Sequence, residues 1–365
     1  MNECINWIGI DDHANKWTIA HYRGGEQTPT REFELEPTAG GYRRLIGWAK
    51  QLGGAVRIVY EAGPCGYELY RRLKKSGLSC EVAAPSLTPQ KPGDRVKTNK
   101  RDARKLGRLY RAGELTLITV PDQKREGLRD LMRAREAVNK DVLRSRHKIS
   151  KLILRYGHYY REGEAWTQRH WRWLKGITLE QGYSQEVLIE MIVTLEQRLE
   201  QLGRFDVKVL EAAKQPEHAR YVEALSVLRG ISTITAMTIL AELGDLRRFT
   251  TAPQLMAAVG VVPGESSTGD HVHRLGITKT GNAHVRRVIV EAAWHYQRRP
   301  TAGLRVGRRR KNQPQQRIDI AVKCDLRLYR RFTRLTSRGK RSTVAATAVA
   351  RELLGFIWAI AQTMN

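Results

Sequence analysis

The sequence predicts an α/β domain followed by a mainly helical chain, and three observations support this fold class. Short β-rich runs alternate with helical patterns up to residue 121, long amphipathic helices begin after it, and an amphipathic helix closes the chain. With 365 residues, the chain is long enough for two or three domains. We expect an α/β domain at 1–121, a helical or coiled-coil region at 122–215, a mainly helical domain at 216–300, and a basic segment with a C-terminal helix at 301–365.

The order of the β-rich runs narrows the fold of the first domain. The loops between the first three runs are too short for helices, so these strands should form an antiparallel meander, whereas helices precede the last two strands and imply parallel crossovers. This order is typical of an RNase H-like fold. A doubly wound nucleotide-binding fold is disfavoured because no glycine-rich phosphate loop follows the first strand. The predicted strands are Trp7–Ile10, Trp17–Tyr22, Glu32–Leu35, Val56–Tyr60 and Ser79–Ala84, and the helices are Gly40–Leu52 and Tyr67–Lys75.

The second region predicts two long amphipathic helices joined by the tryptophan-rich segment AWTQRHWRWLKG. Apolar residues recur at helical spacing in both, with arginine and lysine between them in the first and more acid in the second. Two interpretations stay open: an antiparallel helical pair within the chain, or a dimerising coiled coil. We expect a homo-oligomer, a dimer that assembles to a tetramer.

Two features of the remaining chain point to nucleic acid. The run LSVLRGISTITAMTILAEL reads as helix, glycine turn, helix, a helix-hairpin-helix-like motif in which the backbone at Gly230 could approach a phosphate. Such turns are common, so the motif alone has low specificity. Residues 299–341 form a basic, Pro/Gly-punctuated stretch, either a solvated loop or a nucleic-acid clamp, and we favour the clamp. An amphipathic helix over Thr343–Gln362 should close the chain.

The charge of the chain favours a polyanionic partner. Lysine and arginine total 64 against 37 acids, a formal net charge of +27, and such self-repulsion is relieved by nucleic acid. An anionic membrane is disfavoured because basic residues recur along the whole chain. The four cysteines form no CxxC pair, which argues against zinc and disulfides. With no signal peptide, and with Leu353–Met364 too short to span a bilayer, we expect a cytoplasmic protein.

Acidic residues stand where an RNase H-like fold would gather them. Asp11 and Asp12 follow the first predicted strand, Glu61 follows VRIVY, and Asp102 opens a helix near enough to cap it. Enzymes of this fold hold divalent metal with carboxylates from the first strand, the fourth strand and a later helix. Two metal ions at a reacting phosphate need hard oxygen ligands. Asp11, Glu61 and Asp102 are therefore candidate catalytic ligands for Mg²⁺ or Mn²⁺.

Four stretches carry a family resemblance: IGIDDHANKW, VYEAGPCGYELYRRL, KPGDRVKTNKRDARKLGRLYRAGELT and GVVPGESSTGDHVHRLGITKTGNAHVRRVIVEAAW. They resemble the DEDD (Piv-like) transposases of bacterial insertion sequences, the bridge-RNA-guided serine recombinases. The resemblance covers nearly the whole chain, including ARELLGFIWAIA. It implies a RuvC-like domain joined to a transposase domain, transposition by DNA strand cleavage and exchange, donor and target DNA with a non-coding bridge RNA as partners, and a location at the bacterial nucleoid.

The resemblance assigns the metal ligands residue by residue. Its acids fall on Asp11, Glu61 and Asp102, but the remaining acid is Asn99 here. An amide oxygen carries no charge, which should weaken metal affinity. Asp12 lies where the family requires no acid, so we assign it to hairpin chemistry or to a contact behind the ligands. Lys97, in the same motif as Asn99, is a candidate nucleic-acid contact.

The segment PGESSTGD is an ordinary Ser/Thr turn on its residues alone. The resemblance instead implies a nucleophilic serine, best assigned to Ser267, with Ser266 or Thr268 as alternatives. Attack by a serine conserves bond energy in a phosphoserine link and needs positive charge at the phosphate. The candidate cations nearby are Arg274, Lys279, Arg286 and Arg287. Histidines 271, 273, 284 and 295 fit no zinc spacing, so phosphate contacts or surface positions are favoured for them.

Two competing functions remain. A structure-selective nuclease of the RuvC type would use the acids and water without a serine, and would form no covalent adduct with DNA. A non-catalytic nucleic-acid-binding protein would have a decayed metal site, of which Asn99 would be the sign.

Overall fold

The computed structural model describes residues 4–90, 98–268, 271–301 and 303–364, with only the backbone at residue 305. The chain divides into two compact units, Met1–Pro121 and Asp122–Asn365. Each unit is described by itself.

The first unit is a five-stranded sheet with helices on both faces. Its strand order is β3-β2-β1-β4-β5, in which β2 is antiparallel to β1 and β3, and β4 is parallel to β1 and β5. The predicted meander followed by parallel crossovers is confirmed, and the order is consistent with an RNase H-like fold. The elements are β1 Asn6–Asp12, β2 Trp17–Arg23, β3 Arg31–Leu35, α1 Ala39–Gln51, β4 Val56–Glu61, α2 Glu68–Lys75, β5 Ser79–Ala83 and α3 Asn99–Arg111.

Alternation along the strands decides which helices cover which face. Ile8 and Ile10 of β1, together with Tyr60 of β4, are buried on the face that carries α1 and α2. The residues between them therefore point to the opposite face, where α3 lies and where Val59, Ala83 and Leu106 form a small apolar cluster. The sequence prediction ended β1 at Ile10, but β1 extends through Asp12.

The second unit is helical apart from one small hairpin. Its first two long helices, α4 and α6, are antiparallel, because Arg135 of α4 pairs with Asp206 of α6 while Tyr156 meets Ser184 at the other end. The predicted helical pair within the chain is thus confirmed. The elements are α4 Gln123–Arg155, α5 Gln168–Lys175, α6 Gly182–Ala213, α7 Pro216–Leu225, α8 Thr233–Leu243, α9 Ala252–Val259, β6 Pro263–Glu265, β7 Arg274–Ile277, α10 Ala283–Ala293, α11 Leu304–Arg310, α12 Gln315–Ser337 and α13 Ser342–Ala361.

Helix α13 lies in the core of the second unit. Val349, Leu353 and Ile357 are fully buried and pack with residues from α7, α8, α10 and α12. By length and composition alone, this 20-residue helix could cross a membrane, with a mean hydropathy of 1.6. The sequence analysis considered only Leu353–Met364, which is too short to span a bilayer. That stretch lacks the first half of α13. Half of the apolar window is buried inside the protein, as in a core helix of a water-soluble fold.

The basic stretch at 299–341 is mostly helical, so a solvated loop is the wrong description of it. Apolar side chains at helical spacing bury one face of α12, among them Leu328 and Phe332. Several arginines also serve the fold. Arg310 pairs with the buried Asp325 at 2.7 Å, and Arg309 donates to the Ile231 carbonyl at 2.9 Å.

The glycine turn between α7 and α8 exists, but Gly230 approaches protein rather than open space. Its φ is +83°, and a Cβ placed there would lie 2.5 Å from the carbonyl oxygen of Ala292. A side chain at this position is therefore excluded by the backbone of α10. Gly230 is half-buried, and the expected approach of its backbone to a phosphate stays a prediction.

Candidate functional site: an acidic sheet edge and a serine hairpin

Asp11 and Glu61 lie at the same edge of the sheet. Strands β1 and β4 are parallel neighbours in which Ile10 is opposite Tyr60, so Asp11 and Glu61 are the next residues of their strands. Because Ile10 and Tyr60 face α1 and α2, the two acids face the side of α3. Both carboxylates are partly exposed.

Helix α3 directs Asn99 and Asp102 toward Asp11. The Tyr110 ring stacks edge-on against Trp7 with the ring centroids 5.3 Å apart, while Ala103 lies against Gly9, so the helix runs antiparallel to β1. Two strand residues span about 6.6 Å, which about four helical residues cover. Asp11 lies two residues beyond Gly9 on β1, and Asn99 lies four residues before Ala103 on α3. These two distances are about equal, so Asp11 lies beside the first turn of α3.

The first turn of α3 is capped by Thr98. The Thr98 hydroxyl accepts a hydrogen bond from the Arg101 N–H at 3.3 Å. The predicted cap, Asp102, is instead a residue of the first turn, where the helix dipole still favours a negative charge.

The two neighbouring aspartates have different partners. Asp11 Oδ2 lies 3.2 Å from His13 Nε2, whereas Asp12 Oδ1 accepts a hydrogen bond at 2.8 Å from the Trp17 indole across the hairpin. Burial raises the pKa of Asp12, and the Trp17 hydrogen bond opposes this effect. The contact agrees with the prediction that Asp12 serves the hairpin.

The donor chemistry of this edge fits a hard divalent cation. Asp11, Glu61 and Asp102 offer carboxylate oxygens and Asn99 an amide oxygen, the ligands that Mg²⁺ prefers. Among the described residues, no group of three or more His, Cys, Asp or Glu side chains is arranged so that it could hold a metal ion. The fold thus directs these residues to one edge without closing them around an ion.

The serine motif forms the tip of the β6–β7 hairpin. Ser266 N–H donates to the His273 carbonyl at 2.9 Å, and Thr268 forms an isolated bridge with His271. The described residues of the tip are exposed. The motif is therefore a protruding hairpin rather than the isolated turn that its residues suggested.

Three functional groups gather on this hairpin. The Ser267 hydroxyl donates to Glu265 Oε1 at 2.8 Å, so these two side chains are in contact just beyond the end of β6. Arg274 is the cross-strand partner of Glu265, so its side chain belongs to the same face as that of Glu265. A hydroxyl, a carboxylate and a guanidinium thus lie near one another on this exposed hairpin.

The base of the hairpin is tied to α9. Lys279 has a left-handed φ of +57° and donates its backbone N–H to the Gly260 carbonyl at 3.1 Å, and Thr278 donates to Val262. The Lys279 side chain remains exposed. Asn282 then caps α10 by accepting from Val285 N–H at 2.9 Å.

A buried network of ion pairs supports the base of the hairpin. The sequence analysis did not predict this network. Glu242 of α8 is almost fully buried and accepts two hydrogen bonds from Arg133, at 2.7 and 2.9 Å, and one from Asn282 at 2.7 Å. Arg129 lies 3.6 Å away. Burial acts to raise the pKa of Glu242, but the hydrogen bonds from Arg133 and Asn282 outweigh it and lower that pKa.

Glu136 is the second acid of the network. Lys140, His284 and Arg287 all contact its carboxylate, at 2.6, 2.7 and 3.1 Å. Burial acts to raise the pKa of Glu136, but these hydrogen bonds bring it down to about 2. A possible signal was the spacing of Arg129, Arg133, Glu136 and Lys140 along one face of α4, which in sequence looks like a solvated face.

The predicted cations divide into two groups. Arg274 and Lys279 are exposed, whereas Arg286 donates to the Val259 carbonyl at 2.8 Å and Arg287 is held by Glu136. Lys97 lies outside the described residues. Of the histidines, residues 271 and 273 are exposed on the hairpin, His284 meets Glu136, and burial lowers the pKa of His295.

A row of basic side chains follows the exposed face of α12. Lys323, Arg327, Arg330 and Arg334 recur at helical spacing over about 16 Å. They line a surface groove of about 590 Å³. Glu352 of α13 pairs with Arg327 at 2.8 Å and offsets one of the four positive charges. The row therefore remains positive and fits a phosphate backbone.

Comparisons with known proteins relate this chain to transposases. Residues 222–305 match the transposase IS116/IS110/IS902 family, and residues 8–158 match the IS110-type DEDD transposases. The y4qE protein of Sinorhizobium fredii, assigned as a transposase, is 42% identical over 98% of this chain and 88% of its own length. The transposase for insertion sequence element IS1533 of Leptospira borgpetersenii is 27% identical over 92% of this chain and 98% of its own length.

Proposed function

The chain belongs to the IS110/IS116 family of DEDD transposases, and on this basis we propose that it cleaves and exchanges DNA strands through Ser267 under the direction of a guide RNA. The observation that carries the proposal is the exposed hairpin on which the Ser267 hydroxyl, a carboxylate and Arg274 lie near one another. A DNA backbone can reach such a tip without unfolding the domain.

In the proposed reaction, the Ser267 oxygen attacks a phosphodiester and becomes linked to one strand end. The link conserves the energy of the broken bond, so that a second strand end can later displace the serine. Arg274, on the same face as Glu265, and Lys279, at the base of the hairpin, are both exposed and would offset the charge that develops on the phosphate. Arg286 and Arg287 would act indirectly, by holding α10 beneath the hairpin.

The acidic sheet edge would hold Mg²⁺ or Mn²⁺. Asp11, Glu61 and Asp102 would be the ligands, with the Asn99 amide oxygen as a neutral addition. A divalent ion there would stabilise negative charge on a phosphate oxygen. The three carboxylates would place three negative charges around the ion, one fewer than in a site with four acids.

The RNA partner is proposed from the family resemblance, with support from charge. The net charge of +27 and the α12 row fit a long polyanion. For the oligomer, we propose a dimer that assembles to a tetramer. Two exposed apolar side chains on one face of α6, Ile189 and Val193, offer a contact for a second copy.

The test of the serine step is covalent trapping. Ser267→Ala should abolish cleavage and strand exchange but keep RNA and DNA binding, because only one exposed oxygen is lost. Reactions of the unchanged protein on nicked or mismatched DNA should leave DNA attached to a peptide containing GESSTGD. Ser266→Ala should be milder, since among the described residues of the motif the hydroxyl that contacts Glu265 is that of Ser267. An adduct on Ser266 or Thr268 would move the nucleophile, whereas magnesium-dependent cutting without any adduct would identify a hydrolytic nuclease.

The metal step is tested by single carboxylate substitutions. Asp11→Ala, Glu61→Ala and Asp102→Ala should each abolish recombination while RNA binding and the unfolding temperature stay unchanged. Glu114→Ala, at an exposed position after α3, is the control for loss of one negative charge. Full activity in any of the three variants would remove that residue from the site. A complete lack of metal-dependent activity in the unchanged protein would favour a non-catalytic binding protein.

A further inference from the structure

We propose that Glu265 is the general base that takes the proton from Ser267. The inference rests on the proposed function, because it needs Ser267 to be the nucleophile. Glu265 Oε1 accepts a hydrogen bond from the Ser267 hydroxyl, with the two oxygens 2.8 Å apart. This separation is within the range needed for a general base to remove a proton.

The surroundings of Glu265 leave its carboxylate available for this role. Within the described part of the chain, no cationic side chain lies within ion-pair distance of Glu265, although Arg274 is its cross-strand neighbour. The acids beneath the hairpin differ in this respect, since Glu136 and Glu242 are each held by several donors. Those two acids support the fold, whereas Glu265 faces solvent beside the hydroxyl.

The hairpin geometry separates the candidate serines. The Ser267 side chain contacts Glu265, whereas Ser266 and Thr268 pair with His273 and His271 through their backbones. Of the three hydroxyls in the described motif, Ser267 alone donates to a carboxylate. The same contact that identifies the base therefore selects Ser267 over its neighbours.

The proton transfer balances in one step. As the Ser267 oxygen forms its bond to phosphorus, its proton passes to the Glu265 carboxylate. The bond between phosphorus and the departing strand oxygen breaks with its electron pair, and that oxygen takes a proton from water. In the reverse displacement, the oxygen of an incoming strand hydroxyl forms the new bond to phosphorus and its proton neutralises the hydroxide left by that water. The bond between phosphorus and the serine oxygen breaks, and protonated Glu265 returns its proton to the serine oxygen.

A purely structural role for this contact predicts a different result. One solvent-exposed hydrogen bond adds little to stability, so Glu265→Gln should leave the hairpin folded and still able to accept the serine hydrogen bond through its amide oxygen. The amide cannot take up the proton. Glu265→Gln therefore separates proton transfer from positioning.

The experiment measures single-turnover cleavage by the full chain with RNA and DNA bound, at saturating magnesium. A general base is worth about 10²–10⁴-fold, so Glu265→Gln should slow cleavage by this factor and Glu265→Asp by less. Glu223→Gln, an exposed acid of α7, is the charge-matched control and should leave the rate unchanged.

A thiol nucleophile provides the second measurement. Cysteine ionises without a base at high pH, so in a Ser267→Cys protein at about pH 9 the added Glu265→Gln change should alter the rate only a few-fold. Equal losses in the serine and cysteine backgrounds would overturn the proposal. An unchanged rate in Glu265→Gln, with the adduct still on Ser267, would also overturn it while the proposed function stands. Absence of an adduct on Ser267 would remove both.

Discussion

Replacement of Gly9 by alanine should disable the acidic site without touching any of its ligands. Gly9 lies in the middle of β1 beneath α3, and a Cβ there would stand 2.2 Å from the Ala103 carbonyl oxygen and 2.4 Å from the Gly107 nitrogen. Both neighbours are backbone atoms, so no side chain can rotate away. Since ordinary contact begins at 3.4 Å, α3 must retreat from the strand by about 1 Å.

This shift of α3 determines both the expected loss of stability and the expected loss of cleavage rate. Overpacking of this kind destabilises a fold by about 1–3 kcal/mol. Asn99 and Asp102 belong to the helix that moves, whereas Asp11 and Glu61 belong to the sheet. A shift of about 1 Å between reacting groups can lower a rate on the order of 10²-fold, so cleavage should fall by about that factor.

Two measurements on the full chain test this expectation. Hydrogen exchange at the amides of β1 and α3 should report the loss of stability, and single-turnover cleavage should report the loss of rate. Gly47→Ala is the matched control, because Gly47 is exposed in α1 with nothing within 4 Å of its Cβ position. That change should stabilise its helix by about 0.5–1 kcal/mol. Gly9→Ala with unchanged exchange would show that α3 does not pack on β1 this closely, and lost stability with unchanged cleavage would remove α3 from the active site.

Further predictions concern charge. Asn99→Asp should keep activity and lower the magnesium concentration needed for half-maximal cleavage; inactivity at every concentration would give Asn99 a role of its own. Because the pKa of Glu136 is lowered from 4.5 to about 2 in the folded chain, its contribution to stability is complete above about pH 4.5 and is lost as the pH falls toward 2. Glu136→Gln should therefore flatten the fall of the urea midpoint between these pH values, and an unchanged fall would contradict the assignment. Arg330→Ala with Arg334→Ala should reduce the slope of log affinity for RNA against log salt by about 2, if each contacts one phosphate, and an unchanged slope would make the α12 row a solvated face.

The sequence alone predicted the antiparallel meander and parallel crossovers of the first unit and the two long helices of the second, but not whether those helices pair within one chain. Strand alternation, loop length and helical spacing are local properties, so they can be read along the chain without knowing its partners. The acids at the ends of neighbouring strands could be predicted for the same reason. Asp11 and Glu61 needed only the rule that parallel strands end at one edge.

The tertiary structure decided the contacts between residues far apart in sequence. In the sequence, nothing distinguishes Gly9 from any other glycine in a strand or Gly230 from any other glycine in a turn. In the structure, the backbone of α3 packs against Gly9, and the Ala292 carbonyl of α10 lies next to Gly230. Glu136 and Glu242 looked like solvated helix positions, because helical spacing cannot say which charged face meets a partner. Desolvation and ion pairing depend on what lies opposite a side chain, and only the folded chain supplies that neighbour.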